Sequence, residues 1–346
     1  MARLDDLDLS KTLAVLLAGG SGSRLHELSD LEAKPALPLA EGRLVDFAIG
    51  GAVRAGVPRL SALLGHRPET LTRHIPARWG DRIAVTLPDT PVFGPQGTMA
   101  ALLRMPQDDA QEFLVLPGDQ VHDLDLRALV GAHRHEGSVA TFAASGDRRG
   151  PCVFDAAWLR ASAATDLGRD IWEDLLPALA AAGKARAWTV PADAYWRDID
   201  TLDDLRLVSL DFQRGWPCIT PPGESATPLV DDPRELAFEA GGISLSVPRF
   251  GARTPGRWTV LEDTVVMPGA RVAPGARLTR ALVAPGAIVP AGLVLGDDPE
   301  EDARWFRVTP LGTSLVTPPM LAARAADRMR ARLQSRSAGL ATSGRL

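Results

Sequence analysis

Lysine is scarce in this chain of 346 residues: Lys11, Lys34 and Lys184 are the only three. Arginine carries the rest of the positive charge, so chemistry that needs an amine has few candidates. Two cysteines, Cys152 and Cys218, form no metal-binding or redox spacing. No apolar run approaches the roughly 20 residues that span a bilayer. The opening Met1-Ala2-Arg3-Leu4-Asp5-Asp6 is acidic and holds no hydrophobic signal core. A net charge of −5 leaves no electrostatic footprint for nucleic acid. The expectation is a cytoplasmic protein with neither nucleic acid nor membrane as partner.

What is present suggests two domains, because the chain is too long for one ordinary core. Up to residue 150, apolar runs alternate with helical patterns. Strand candidates are Leu13–Leu17, Leu60–Leu64, Ile83–Leu87, Phe113–Leu116 and Ala140–Ala144. Helical stretches lie between them at Arg43–Ala55, Glu69–His74 and Leu126–His135, and a helix-rich stretch follows over Asp166–Gly183. Such alternation predicts an α/β fold with a mostly parallel, doubly wound sheet. This domain is expected over 1–210. Residues 211–245, broken by Pro217, Pro221, Pro222, Pro228 and Pro233, read as a linker.

A different period begins near residue 260. Val266-Met267-Pro268-Gly269-Ala270-Arg271 is followed by Val272-Ala273-Pro274-Gly275-Ala276-Arg277 and Leu278. After a one-residue slip, Val283-Ala284-Pro285-Gly286 and Val289-Pro290-Ala291-Gly292 continue it. An aliphatic residue every sixth position with Pro-Gly at the corner is the pattern of a parallel β-helix of two to four coils. It is expected over 246–322, with a basic helical tail over 323–346.

Three motifs bear on chemistry. Ala18-Gly19-Gly20-Ser21-Gly22-Ser23-Arg24-Leu25 follows the first buried strand, with Lys34-Pro35 shortly after. Glycines let backbone N–H groups approach an anion, while Arg24 and Lys34 supply cations. The loop is also compatible with a tight structural turn. Gly118-Asp119 follows the strand Phe113–Leu116, at the edge where open α/β sheets bind ligands. A carboxylate there can hold Mg²⁺ or simply cap a turn. Tyr195-Trp196-Arg197-Asp198-Ile199-Asp200-Thr201 precedes a helix. Asp200 or Thr201 suits its cap, which leaves Asp198 as a possible second carboxylate.

These blocks, with Arg43-Leu44-Val45-Asp46-Phe47-Ala48, Thr70–Ile75, Gly97-Thr98, Glu300-Glu301-Asp302-Ala303-Arg304 and Leu315-Val316-Thr317, resemble the bacterial ADP-glucose pyrophosphorylases (glucose-1-phosphate adenylyltransferases). The resemblance covers most of the chain. It implies a Rossmann-like nucleotidyltransferase domain followed by a short left-handed β-helix, cytoplasmic and tetrameric. The implied reaction is adenylyl transfer from ATP to glucose 1-phosphate, in glycogen- or starch-type biosynthesis. By the same resemblance Ala18, Gly19, Gly20, Gly22 and Gly118 would cradle phosphates, and Gly97 and Thr98 would lie near adenine. Arg24 would bind the leaving pyrophosphate, and Asp119 and Asp198 would hold Mg²⁺. Lys34 matches a basic position used for substrate or effector, and the effector site is not identified.

The chain also departs from that family. Its Phe-x-Glu-Lys-Pro block, whose lysine grips the sugar phosphate, is missing between Ala144 and Gly150. Arg148, Arg149 or Arg169 are the candidate replacements. Ser21 stands for an arginine, Met99-Ala100 for Ala-Asp, and Asp200 for a glycine. An added carboxylate there would repel a triphosphate unless a metal or arginine offsets it. Two readings stay open: an active transferase, as a homo-oligomer, or a non-catalytic regulatory paralogue that binds nucleotide or effector, alone or beside a catalytic partner. An acyltransferase reading of the hexads is disfavoured, because such domains need a histidine and none follows His135.

Overall fold

The computed structural model of the chain describes residues 7–88, 102, 109–162, 170–214, 235–240, 243–248 and 258–343. Gly97, Thr98, Met99-Ala100, Arg169, Cys218 and the linker prolines lie outside these residues. The chain forms two compact units, Met1–Asp200 with Pro217–Glu224, and Thr201–Trp216 with Ser225–Leu346.

The first unit is built on β1 (Thr12–Ala18), whose seven residues are all buried. Its side chains alternate between two cores. Leu13, Val15 and Leu17 pack with Phe113, Val115 and Leu159, while Ala14, Leu16 and Ala18 pack with Ile49, Leu114 and Leu116. Burial on both faces explains a continuous apolar run where a half-exposed strand would alternate with polar residues. The other strands are β2 (Arg59–Leu64), β3 (Ala84–Thr86), β4 (Glu112–Pro117), β6 (Ala140–Ser145), β7 (Arg148–Asp155) and β8 (Ala185–Thr189). They line up as β8-β6-β7-β4-β1-β2-β3. Only β7 runs antiparallel to its neighbours. Helices α1 (Val45–Ala55), α2 (Glu69–Trp79) and α3 (Leu126–Glu136) cover one face. The other is covered by α4 (Ala156–Ser162), a turn at Ile171–Leu175 and α5 (Leu176–Ala181). A two-stranded ribbon, β5 (Gln120–His122) with β9 (Trp196–Asp198), stands beyond the carboxyl end of β4.

The second unit opens with α6 (Leu202–Gln213). Thr201 caps it and forms a reciprocal capping box with Asp204. Asp203 accepts hydrogen bonds from the hydroxyls of Thr309 (2.8 Å) and Thr313. Arg206 donates to the Thr313 hydroxyl at 2.8 Å. The helix expected at the end of the α/β domain therefore belongs to the β-helix unit. The expected linker 211–245 is also interrupted. It contains the end of α6 and the strand Glu235–Ala240, which pairs antiparallel with Ile243–Pro248.

The hexads form the left-handed parallel β-helix. Val260 pairs with Arg277 and Arg277 with Val294, so one coil takes 17 residues. Two corners of each coil turn at glycine: one passes through Gly275 and Gly292, and the other is a Pro-Gly turn in which Ala270 N–H donates to the Met267 carbonyl at 3.0 Å in one coil and Ala287 N–H to the Ala284 carbonyl at 3.1 Å in the next. Gly269 and Gly286 take φ of 79° and 73° there, which a side chain would strain. The third corner is one residue shorter and passes through Asp263 and Arg280, at φ 45° and 51°. The slip after Leu278 is thus one corner of every coil and not a single irregularity. Leu278, Val283, Val289 and Leu295 stack in the interior. The tail helix begins at Pro318, five residues before the expected start, and runs to Ser343.

Candidate active site

The loop after β1 turns on Gly22, at φ 62°. A Cβ there would lie 2.8 Å from the Cβ of Lys34, so only glycine lets Lys34 pass under the loop. Gly118 has the same role across the sheet. Its N–H donates to the Leu17 carbonyl at 2.9 Å, and a Cβ would sit 2.8 Å from that oxygen. Gly20 has open space around its Cα, where an anion can reach the backbone. Gly19 accepts a hydrogen bond from His66 N–H at 3.2 Å and ties the loop to the end of β2.

The ribbon brings the acidic residues to this loop. Asp198 pairs with Gln120 across β5 and β9, and the Ile199 N–H donates to the Asp119 carbonyl at 3.0 Å. Asp119 and Asp200 both accept from the Lys34 ammonium, at 2.9 and 3.0 Å. The Arg24 guanidinium lies 3.2 Å from the same Asp200 oxygen. A cavity of about 220 Å³ opens here, lined by Ala18, Gly20, Gly22, Ser23, Arg24, Lys34, Asp119 and Asp200 among others. Gly19, Gly118 and Asp198 shape its surroundings without lining it.

Lys34, expected as a ligand-facing cation, is about nine-tenths buried between two carboxylates. Asp198 also has a cation of its own, with Arg148 Nε 3.2 Å away. That guanidinium donates to the Trp196 carbonyl at 2.7 Å and lies over its ring, 5.7 Å from the centroid. Burial pushes the Asp198 carboxyl up to about 6, with help from Asp119 and Asp200, against the pull of Arg148 and Gln120. Because this native value exceeds the unfolded one, the native state binds the extra proton between about pH 4 and 6, and stability falls as pH rises through that window. Asp198→Asn is expected to raise the melting temperature of the ligand-free protein at pH 7 by a few degrees, the scale of about 1 kcal/mol after discounting for solvent screening. The gain should vanish below pH 4. Thermal unfolding at both pH values checks it, and a variant that melts lower at pH 7 refutes it.

Asp200, expected as an added carboxylate near the triphosphate, lines the cavity, and Arg148, one of three candidate replacements for the missing lysine, pairs with Asp198. Asp200 had an available signal, since the following Thr201 is the better helix cap. Arg148 could not be located in advance, because its position depends on a hairpin. β6 and β7 join through Gly146-Asp147 alone, with Ser145 opposite Arg148. A Cβ on Gly150 would overlap the Trp196 ring, so β7 lies directly against β9. The segment expected to carry the sugar-binding lysine is replaced by this hairpin. Lys184 is exposed, and Lys11 pairs with Asp109 before β1.

Fold and loop together are those of a nucleotidyltransferase-type α/β domain followed by a hexapeptide β-helix. Residues 13–151 match the Nucleotidyl transferase family and residues 241–316 the GlmU-like C-terminal hexapeptide family. More particularly, the chain is similar along most of its length to glucose-1-phosphate adenylyltransferases. It is 28% identical to glucose-1-phosphate adenylyltransferase 2 of Alkalilimnicola ehrlichii, across 90% of this chain and 94% of that one. It is 29% identical to the glucose-1-phosphate adenylyltransferase of Thiobacillus denitrificans, across 90% and 91%. The first alignment runs over 400 residues, longer than this whole chain, so that relative carries segments absent here.

Proposed function

We propose that the chain binds ATP with Mg²⁺ at the loop 18–24 and transfers the adenylyl group to a sugar 1-phosphate, releasing pyrophosphate. The observation that supports this most is the convergence of the glycine loop, Arg24, Lys34 and Asp119 on one cavity, with Asp198 beside it. In the reaction a sugar-phosphate oxygen forms a bond to the α-phosphorus as the bond to the pyrophosphate oxygen breaks. Such chemistry asks the protein mainly for positioning and charge neutralisation. The backbone at Gly20 and Gly22 would receive the triphosphate, Arg24 the departing pyrophosphate, and Lys34 would hold Asp119 in place. Gly97 and Thr98 are assigned to adenine on the resemblance alone.

Among the described residues no cluster of three or more metal-binding side chains is arranged to hold an ion by itself. Asp119 and Asp198 still fit Mg²⁺, which takes one or two carboxylates and completes its shell with phosphate oxygens and water. Asp198 gives up a proton more readily once a dication faces it. Bound there, Mg²⁺ would neutralise charge on the phosphates.

A second reading is favoured by the hairpin. With the sugar-binding segment reduced to Gly146-Asp147, the chain would bind nucleotide and regulate a catalytic partner. Homo-oligomeric assembly, a tetramer by resemblance, belongs to the first reading, and a mixed oligomer to the second. Cytoplasmic residence is part of both. No helix among the described residues is long and apolar enough to cross a membrane. A pyrophosphate-release assay over a panel of sugar 1-phosphates and nucleoside triphosphates separates the two readings. Release that requires a sugar phosphate supports transfer. Nucleotide binding without release, for every pair, refutes it.

A further inference from the structure

We propose that Asp200 is an internal counter-anion: its carboxylate occupies the cations of the glycine loop and sets how tightly a polyphosphate binds there. The inference rests on the nucleotide reading of this cavity. One oxygen, Oδ1, lies 3.0 Å from Lys34 Nζ and 3.2 Å from the Arg24 guanidinium. A carboxylate oxygen bridging an ammonium and a guanidinium beside open backbone at Gly20 sits where a phosphate oxygen would make its charge-assisted bonds. Two positive charges cannot fully serve an incoming anion while they serve this one.

The arrangement is held from both sides of the residue. On one side Ile199 N–H is bonded to the Asp119 carbonyl. On the other, Thr201 N–H donates to Asp204 at 2.8 Å, and the Thr201 hydroxyl receives Asp204 N–H at 3.2 Å. Thr201 therefore performs the capping that an aspartate at 200 could have performed. The Asp200 side chain lines the cavity, and its backbone is flanked by these bonds before any ligand arrives. Preorganisation of this kind makes an internal competitor effective, because it pays no ordering entropy when it rebinds. Asp119 shares Lys34 but is 43% exposed at its side chain and stays available to a metal.

The test is calorimetric titration of inorganic tripolyphosphate, and then of ATP with Mg²⁺, into the full chain and its Asp200→Asn and Asp200→Gly variants. Both variants are expected to bind tripolyphosphate about tenfold more tightly, the scale of one charge-assisted contact released. In thermal unfolding, tripolyphosphate should raise the melting temperature of the variants more than that of the parent. Should one variant fail to fold, the other carries the comparison. Binding by the parent with equal or weaker binding by the variants overturns the counter-anion and leaves the nucleotide site standing. Tighter binding by the variants with no pyrophosphate release in any assay upholds the counter-anion and removes only the transfer reaction. Absence of binding in all three proteins overturns both.

Discussion

Asp119→Asn is expected to lower pyrophosphate release by about a thousandfold or more, with little change in melting temperature. The amide keeps an oxygen for Lys34 Nζ, now 2.9 Å away, and keeps the shape of the turn after Gly118. It lacks the negative charge that a divalent ion requires. A thousandfold corresponds to about 4 kcal/mol of transition-state stabilisation, which is within the range for a metal that neutralises a transferring phosphoryl group. The loss should fall on kcat more than on KM for the sugar phosphate, since the carboxylate acts on the reacting centre. Steady-state kinetics with a coupled pyrophosphate assay, beside circular dichroism of the same preparation, reads both quantities. A rate within tenfold of the parent would remove Asp119 from the reaction.

Much of the fold is legible in the chain because its signals are local. β1 holds the run Leu13–Ala18 and β4 the run Phe113–Leu116, β2 is broken only by the buried Ser61 within Leu60–Leu64, and central strands covered on both faces read in this way. The hexads declare a β-helix through the stacking of Leu278, Val283, Val289 and Leu295, although the regular 17-residue coil emerges only when the strands are paired. Other features depend on contacts between distant segments. Lys34 reads as a free cation until Asp119 and Asp200, more than 80 residues away, are seen to enclose it. Likewise the missing lysine block marks a deletion, but only the register of Ser145 with Arg148 shows what closes the gap. The unit to which α6 belongs was also hidden. Its allegiance to the β-helix depends on Thr309 and Thr313, a hundred residues downstream. The sequence thus names the acidic positions, the loop and its cations, while the pairing of each cation with its carboxylate depends on contacts between distant segments.

The largest effect on stability is expected at a residue outside the cavity. Asp46 is fully buried near the start of α1. Its carboxylate accepts from Trp79 Nε1 at 2.7 Å, from His74 Nε2 at 2.8 Å and from the Arg43 N–H at 2.8 Å. Arg78 Nε adds charge at 3.4 Å. Burial by itself would raise this carboxyl, but His74, Trp79 and the Arg43 amide overcome it and hold the group below its ordinary value. Asp46→Ala takes the shared acceptor away from the buried Trp79 Nε1, from His74 and from the Arg43 N–H, and is expected to cost about 3–5 kcal/mol in urea unfolding at pH 7. Because the native pKa is depressed, this contribution is complete above the unfolded value near 4 and is lost as pH falls through the native one. The gap between parent and variant should therefore narrow below pH 4. The damage should also reach the candidate site. Asp46 fixes the Arg43 backbone, and the Arg43 guanidinium bonds the Ala36 carbonyl and Glu32 (2.9 Å), on either side of Lys34. Weaker tripolyphosphate binding by a folded Asp46→Ala protein follows from that chain of contacts. A variant as stable as the parent at pH 7 would show that α1 and α2 are held by their apolar faces alone.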